Sequence, residues 1–115
     1  MSSKIIGTVF RSQDKHKTAA FYEVLGLFLN EHQHGGPLHY EASPLAEDFV
    51  CEIYQASEKF SADAVMVEVS SVEESIEAVA ALGVEPKTQL KQAGDTKFIY
   101  VTDPDGRDVM LLQKV

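Results

Sequence analysis

The chain has 115 residues, 44% hydrophobic and 24% charged, which is the size and composition of one globular domain and excludes a disordered chain. Residues 41–77 contain ten acidic residues and one lysine, a local charge of −9 against −8 for the whole chain, so we expect no nucleic-acid partner. No apolar run approaches the ~18 residues of a membrane helix, and the start lacks the apolar core of a secretion signal. With Cys51 as the single cysteine, we expect a cytoplasmic protein without a membrane partner.

The first half of the chain predicts a strand, a helix and three further strands. Residues 5–10 are rich in β-branched and aromatic residues, which favours a strand. Over residues 14–25 the apolar residues recur at helical spacing, with Asp14 placed to cap the start and Gly26 to end the helix. Strands are then predicted at 27–34, 37–42 and 49–54, the first two joined by a hairpin turn at Gly35-Gly36.

The second half repeats this order. Residues 64–69 alternate like a strand, and residues 71–82 predict a helix that a Ser71–Glu74 capping box starts and Gly83 ends. Strands are predicted at 84–91, 97–101 and 108–113, with a turn at Asp103-Pro104-Asp105-Gly106 before the last of them. Each half is therefore predicted to be β-α-β-β-β.

These motifs, in this order and spacing, resemble the vicinal-oxygen-chelate superfamily of glyoxalase I, bleomycin-resistance proteins and extradiol dioxygenases. The matching stretches are Asp14 with Phe21-Tyr22, Leu25-Gly26-Leu27, Leu82-Gly83 and Asp103-Pro104-Asp105-Gly106. The resemblance implies an α+β, glyoxalase-like fold in a single domain, residues 1–115. Two βαβββ modules, about 1–58 and about 59–115, would form U-shaped, mixed or antiparallel sheets around a cleft.

The resemblance also implies where a metal ion would lie in metal-using relatives. Its four ligand positions fall on Gly7, Glu52, Ala64 and Met110. Glycine and alanine have no side-chain donor and a thioether is a poor ligand for hard divalent ions, so we expect no metal there and no cofactor. By resemblance to bleomycin-resistance proteins, we expect a metal-independent small-molecule-binding protein, with a cavity between its paired modules, that forms a homodimer. The alternatives are a scaffold without a ligand, or a lyase, isomerase or oxygenase with Glu52 as its base or in a non-standard divalent metal site.

Strand alternation sorts the side chains that would face such a ligand. The candidate ligand-binding residues are Gly7, Val9, Tyr40, Glu52, Tyr54, Ala64, Met66, Glu68, Tyr100 and Met110. Glu52 is also the candidate catalytic residue, with a leftover, hydrogen-bonded carboxylate as the alternative. Because Glu52 and Glu68 belong to the acidic segment, we expect a cationic or neutral amphipathic ligand.

A weaker alternative metal site lies on the predicted hairpin. If Gly35-Gly36 forms the turn, His32 pairs with His39, and His34 lies on the same face. Three imidazoles there could hold an ion such as Zn²⁺, although histidines near a loop are more often simply solvated.

Overall fold

The computed structural model describes residues 3–33 and 36–115. Two helices and eight strands occur in these residues: β1 (Lys4–Ser12), α1 (Lys15–Glu23), β2 (Phe28–His32), β3 (His39–Ser43), β4 (Val50–Gln55), β5 (Ala64–Glu68), α2 (Val72–Ala80), β6 (Lys91–Ala93), β7 (Thr96–Thr102) and β8 (Asp108–Lys114). They form two compact units. The first unit comprises residues 7–63, and the second comprises residues 64–115 with the start of β1.

In the first unit the strands are ordered β2-β3-β4-β1. Strands β1 and β4 are parallel, whereas β3 is antiparallel to both of its neighbours. The β2–β3 register pairs His32 with His39, as predicted. Of the predicted hairpin, His34 and Gly35 lie outside the described residues. Helix α1 covers one face of this sheet, where Ala19, Leu29 and Ile53 form the buried core.

The second unit has the corresponding arrangement. Its strands are ordered β5-β8-β7-β6, with β5 parallel to β8 and the other pairs antiparallel. Helix α2 covers one face over an apolar core of Val69, Val72, Ile99, Val101 and Leu111. The mixed sheets and two helices confirm the predicted α+β fold class.

The two helices begin and end in the same way. Asp14 accepts hydrogen bonds from the backbone N–H groups of His16 and Lys17, and Ser71 accepts one from Glu74. Each helix is followed by a glycine with positive φ, +103° at Gly26 and +85° at Gly83, the conformation that glycine adopts without steric cost. Helix α2 starts 72 − 15 = 57 residues after α1 and ends 80 − 23 = 57 residues after it, so the predicted internal repeat is confirmed.

The strand predicted at 84–91 is wrong for residues 84–90, which form no strand. Pro86 has no N–H to donate to a neighbouring strand, and the N–H of Lys87 donates to the carbonyl of Tyr100 at 2.7 Å. Strand β6 begins only at Lys91. Among the described residues, neither helix has the length and apolar character needed to cross a membrane.

Candidate functional site

The first unit's sheet has a second face, on the side away from α1, and we call it the uncovered face only because α1 does not pack on it. Side chains on this face are nonetheless buried, with His39 1% and Glu52 10% exposed. Ile53 and Phe10 pack into the core under α1. Because side chains alternate along a strand, their neighbours Glu52 and Tyr54 on β4, and Val9 and Arg11 on β1, are directed to the uncovered face. On β3 the same face receives His39 and Glu41, since Glu41 lies directly opposite Glu52. It also carries Gly7, two residues before Val9.

A buried imidazole lies between two carboxylates on this face. His39 Nε2 is 3.2 Å from Glu52 Oε2 and 3.5 Å from Glu41 Oε1. The side chain of His39 is 1% exposed, that of Glu52 10% and that of Glu41 32%. His39 Nδ1 lies 3.1 Å from the carbonyl oxygen of Pro37, which can only accept, so Nδ1 donates. The arrangement can hold or move a proton, or bind a cation, at Nε2.

Flat side chains extend this cluster along the sheet. The His39 and Tyr54 rings are stacked, with centroids 4.2 Å apart and planes inclined by 14°. The Arg11 guanidinium carbon lies 4.5 Å from the centroid of the Tyr54 ring and 4.9 Å from that of Phe60. These distances are within the range of a cation–π interaction. The uncovered face therefore carries carboxylates at one end and a guanidinium at the other, separated by aromatic surface.

The second unit has a corresponding face opposite α2. Ile99 and Leu111 pack under α2, so their neighbours Tyr100 and Met110 are directed to the other face. There Met110 lies between Tyr100 on β7 and Met66 on β5. Ala64 lies opposite Asp108 in the same way. The two acidic groups Asp108 and Glu68 on this face have basic partners. Both oxygens of Asp108 accept from Lys87 Nζ at 2.8 Å, and Glu68 lies 3.9 Å from Lys4 Nζ.

The structure thus divides the predicted ligand-binding residues between the units. Gly7, Val9, Glu52 and Tyr54 lie on the uncovered face of the first unit. Ala64, Met66, Glu68, Tyr100 and Met110 lie on the face of the second unit that is opposite α2. Sequence reasoning missed Arg11, Glu41 and Phe60. Arg11 follows Val9 by two residues, so continuing the alternation would have found it.

Tyr40 requires a correction. It lies opposite Ile53 in the β3–β4 register and packs against the α1 core, on the face away from Glu52. Its hydroxyl is 2.8 Å from His16 Nδ1. Partial burial, followed by the negative charges of Glu31, Glu23 and Asp14, raises the pKa of Tyr40 above its ordinary value.

Two histidines of the weaker alternative site lie side by side, as their predicted pairing implies. The rings of His32 and His39 meet edge to face with centroids 5.9 Å apart, and His34 lies outside the described residues. Within residues 3–33 and 36–115, the group of three side chains that could hold a metal ion is instead His39, Glu41 and Glu52, whose ligand atoms all lie within 4.8 Å of one another. This group consists of one imidazole and two carboxylates.

The four positions at which the resemblance would place metal ligands do not carry the donors that a divalent ion needs. Gly7 and Ala64 provide no side-chain donor, and Met110 provides a thioether, which binds hard divalent ions poorly. Glu52 alone cannot provide the three or more protein donors that a bound ion such as Zn²⁺ requires.

Comparison with solved structures confirms the predicted fold. A glyoxalase/bleomycin resistance protein/dioxygenase superfamily member from Vibrio splendidus superimposes with a TM-score of 0.69 at 15% identity, covering 99% of this chain and 100% of the other. A glyoxalase I mutant from Zea mays gives 0.69 at 16% identity, covering 96% of this chain and 42% of that one. Methylmalonyl-CoA epimerase from Mycobacterium tuberculosis gives 0.65 at 12%, covering 96% and 85%. No protein-family model matches the sequence, and neither does any curated protein.

Proposed function

We propose that this chain, which has the fold of the glyoxalase/bleomycin-resistance/dioxygenase superfamily, binds a small molecule on the uncovered face of its first unit. The binding does not use a metal ion at the four superfamily positions. The observation that carries the proposal is the buried His39–Glu52 pair beside the stacked ring of Tyr54. Removing ionisable groups from water is costly, and small-molecule sites commonly combine apolar walls with a few such groups that orient the ligand.

The charges on this face support a cationic or neutral amphipathic ligand. Glu41 and Glu52 place two carboxylates beside His39, and the low local dielectric strengthens their attraction for a cation. A planar apolar body would lie against Tyr54. Arg11 lies beyond Tyr54, so a ligand with a cationic group at one end and a neutral acceptor at the other would match both ends. Anions would meet repulsion from the two carboxylates.

The test is calorimetry with matched cationic, neutral and anionic aromatic ligands. We expect the cationic members to bind most tightly and Glu52→Gln to weaken them by about tenfold, which corresponds to ~1.4 kcal/mol. Glu31→Gln is the matched control, because Glu31 lies opposite Tyr40 and hence on the α1 side. Tighter binding of the anions, or equal effects of the two substitutions, would show that the proposal is wrong.

A second candidate function is enzymatic proton transfer. The 3.2 Å separation of Glu52 and His39 favours it, because a carboxylate beside an imidazole can remove a proton next to a carbonyl and return it. The fold neighbours support this class by their names, which include an epimerase and a glyoxalase. Exchange of a substrate C–H for deuterium in D₂O, followed by NMR, would test it. The exchange should be lost in Glu52→Gln and retained in Glu31→Gln.

We also propose a homodimer. Phe21, Val24, Leu25 and Phe28 are exposed apolar side chains around the end of α1, and a second copy of the chain could cover them. Light scattering should give about twice the 12.7 kDa mass of one chain. A single-chain mass at tens of micromolar protein would count against the dimer.

A further inference from the structure

We infer that His39, Glu41 and Glu52 form a binding site for one divalent transition-metal ion. This site shares Glu52 with the four superfamily positions, but takes its other two ligands from β3. The inference goes beyond the proposed function and does not depend on it, because the site needs only residues of the first unit.

The distances in the cluster suit a metal ion. Tetrahedral ligands at bond lengths of about 2.0–2.1 Å are separated from one another by roughly 3.3–3.4 Å. The observed separations from His39 Nε2 are 3.2 Å to Glu52 and 3.5 Å to Glu41. All three ligand atoms lie within 4.8 Å of one another. The three ligand atoms could therefore approach one ion through rotation of the two carboxylate side chains.

The hydrogen bond of His39 directs the correct nitrogen toward the ion. Because Nδ1 donates to the carbonyl of Pro37, the neutral imidazole has its lone pair on Nε2, the nitrogen between the two carboxylates. Histidine ligands of metals commonly donate their other ring N–H to a backbone carbonyl or carboxylate, which fixes tautomer and ring orientation. Stacking on Tyr54 at 4.2 Å further fixes the plane of the ring.

The charges of the cluster favour a cation. Glu41 and Glu52 lie directly opposite each other on neighbouring strands, and like charges in that relation destabilise a sheet. A second proton on His39 supplies one positive charge, whereas a divalent ion supplies two. The side chain of Glu41 is 32% exposed, so an ion can reach the cluster from solvent, while His39 at 1% anchors the site in the interior.

The donors indicate the class of metal. One imidazole and two carboxylates suit Zn²⁺ and the neighbouring first-row ions, whereas Mg²⁺ and Ca²⁺ favour oxygen ligands alone. Three protein ligands leave at least one coordination position for water or for a donor atom of a ligand, as in catalytic and not structural zinc sites.

The experiment is titration of chelator-treated protein with Zn²⁺ by calorimetry, and with Co²⁺ by visible absorption. We expect one ion per chain, with Glu52→Gln and His39→Gln each weakening Zn²⁺ binding about 100-fold and Glu41→Gln about tenfold. His32→Ala is the matched control, because its ring adjoins that of His39 but lies outside the three-residue group. Circular dichroism of the metal-free variants checks their folding. If His39→Gln does not fold, the partly exposed Glu41 still provides the decisive variant.

Three results would overturn the metal site. They are the absence of stoichiometric Zn²⁺ binding by the wild type, equal loss of binding in His32→Ala, and unchanged binding in Glu41→Gln and Glu52→Gln. If the wild type takes up no Zn²⁺ and both nitrogens of His39 carry a proton, the metal site is wrong. The two carboxylates would then be balanced by a His39 imidazolium. Zn²⁺ binding without any affinity for the small-molecule panel would support the metal site and contradict the proposed function.

Discussion

The two units share a fold but differ in the partners that surround their buried carboxylates. In the second unit, both oxygens of Asp108 accept from Lys87 at 2.8 Å, so the acid is neutralised by its own partner. In the first unit, Glu41 and Glu52 share one imidazole at 3.5 and 3.2 Å. Glu52 and Met110 are each the third residue of their strand, β4 and β8, so one structural position holds a carboxylate in one unit and a thioether in the other. The comparison assigns a stabilising role to the charges of the second unit and a binding role to those of the first.

The largest expected effects come from the two apolar cores, which should be equivalent. Ile53→Ala under α1 and Leu111→Ala under α2 each remove a buried side chain and leave a cavity, at a cost of about 2–5 kcal/mol in the free energy of unfolding. Urea denaturation measures both. Val24→Ala, at an 82% exposed position, is the control and should change little. A much smaller loss for one core would show that the units are not equivalent in stability.

Removing one buried carboxylate from each unit should lower the free energy of unfolding by clearly different amounts. Asp108→Ala leaves Lys87 without its acid and should lower the free energy of unfolding by about 3 kcal/mol. Glu52→Gln removes one of two facing carboxylates, so its cost should stay below about 1 kcal/mol. Both values come from urea denaturation at neutral pH without added metal. An equal or greater cost for Glu52→Gln would mean that Glu52 stabilises the fold, and would weaken the case for a binding role.

Substituting the glycines after the helices should have a smaller effect, again equal in the two units. Gly26 and Gly83 have φ values of +103° and +85°, and a Cβ on either would meet no atom within 4 Å. The expected cost of Gly26→Ala and of Gly83→Ala is therefore backbone strain alone, about 1 kcal/mol each. Thermal unfolding compares them. Gly36→Ala is the control and should cost less, because its added Cβ also meets no atom and the φ of Gly36 lies outside the left-handed range.

Local features of the sequence predicted most of the fold. Asp14, Ser71, Gly26 and Gly83 locate the helix ends because caps act on the backbone of their own turn. The strand predicted at 84–91 was wrong over most of its length because Pro86 has no N–H to donate to a neighbouring strand.

The candidate site was harder to predict because it depends on the register between strands. Alternation alone does not say whether Tyr40 or its neighbours His39 and Glu41 share a face with Glu52. Shifting one strand by a single residue exchanges the two faces. The observed pairing of Glu41 with Glu52 decides in favour of His39 and Glu41. Glu52 itself was predicted through its superfamily position, whereas its partners could be identified only from the paired strands.

The smallest expected effect on stability concerns the turn between β7 and β8 in the second unit, where Asp103 lies. Its dependence on pH follows from the pKa of Asp103. The pKa of the Asp103 carboxyl lies below its ordinary value of 3.8, mainly because the backbone N–H of Arg107 donates a hydrogen bond to it. The side chain of Arg107 and the N–H of Asp105 lower this pKa further, while burial raises it. Since the folded pKa is the lower one, the unfolded chain binds the proton more readily. The contribution of Asp103 to stability is thus complete above pH 3.8 and is lost as the pH falls through the folded pKa.

Urea unfolding of wild type and Asp103→Asn should differ most near neutral pH and converge in acid. Arg107→Ala keeps the backbone donor and should retain most of the pH dependence. A wild-type curve that stays parallel to that of Asp103→Asn down to pH 2 would show that the turn does not stabilise the ionised acid.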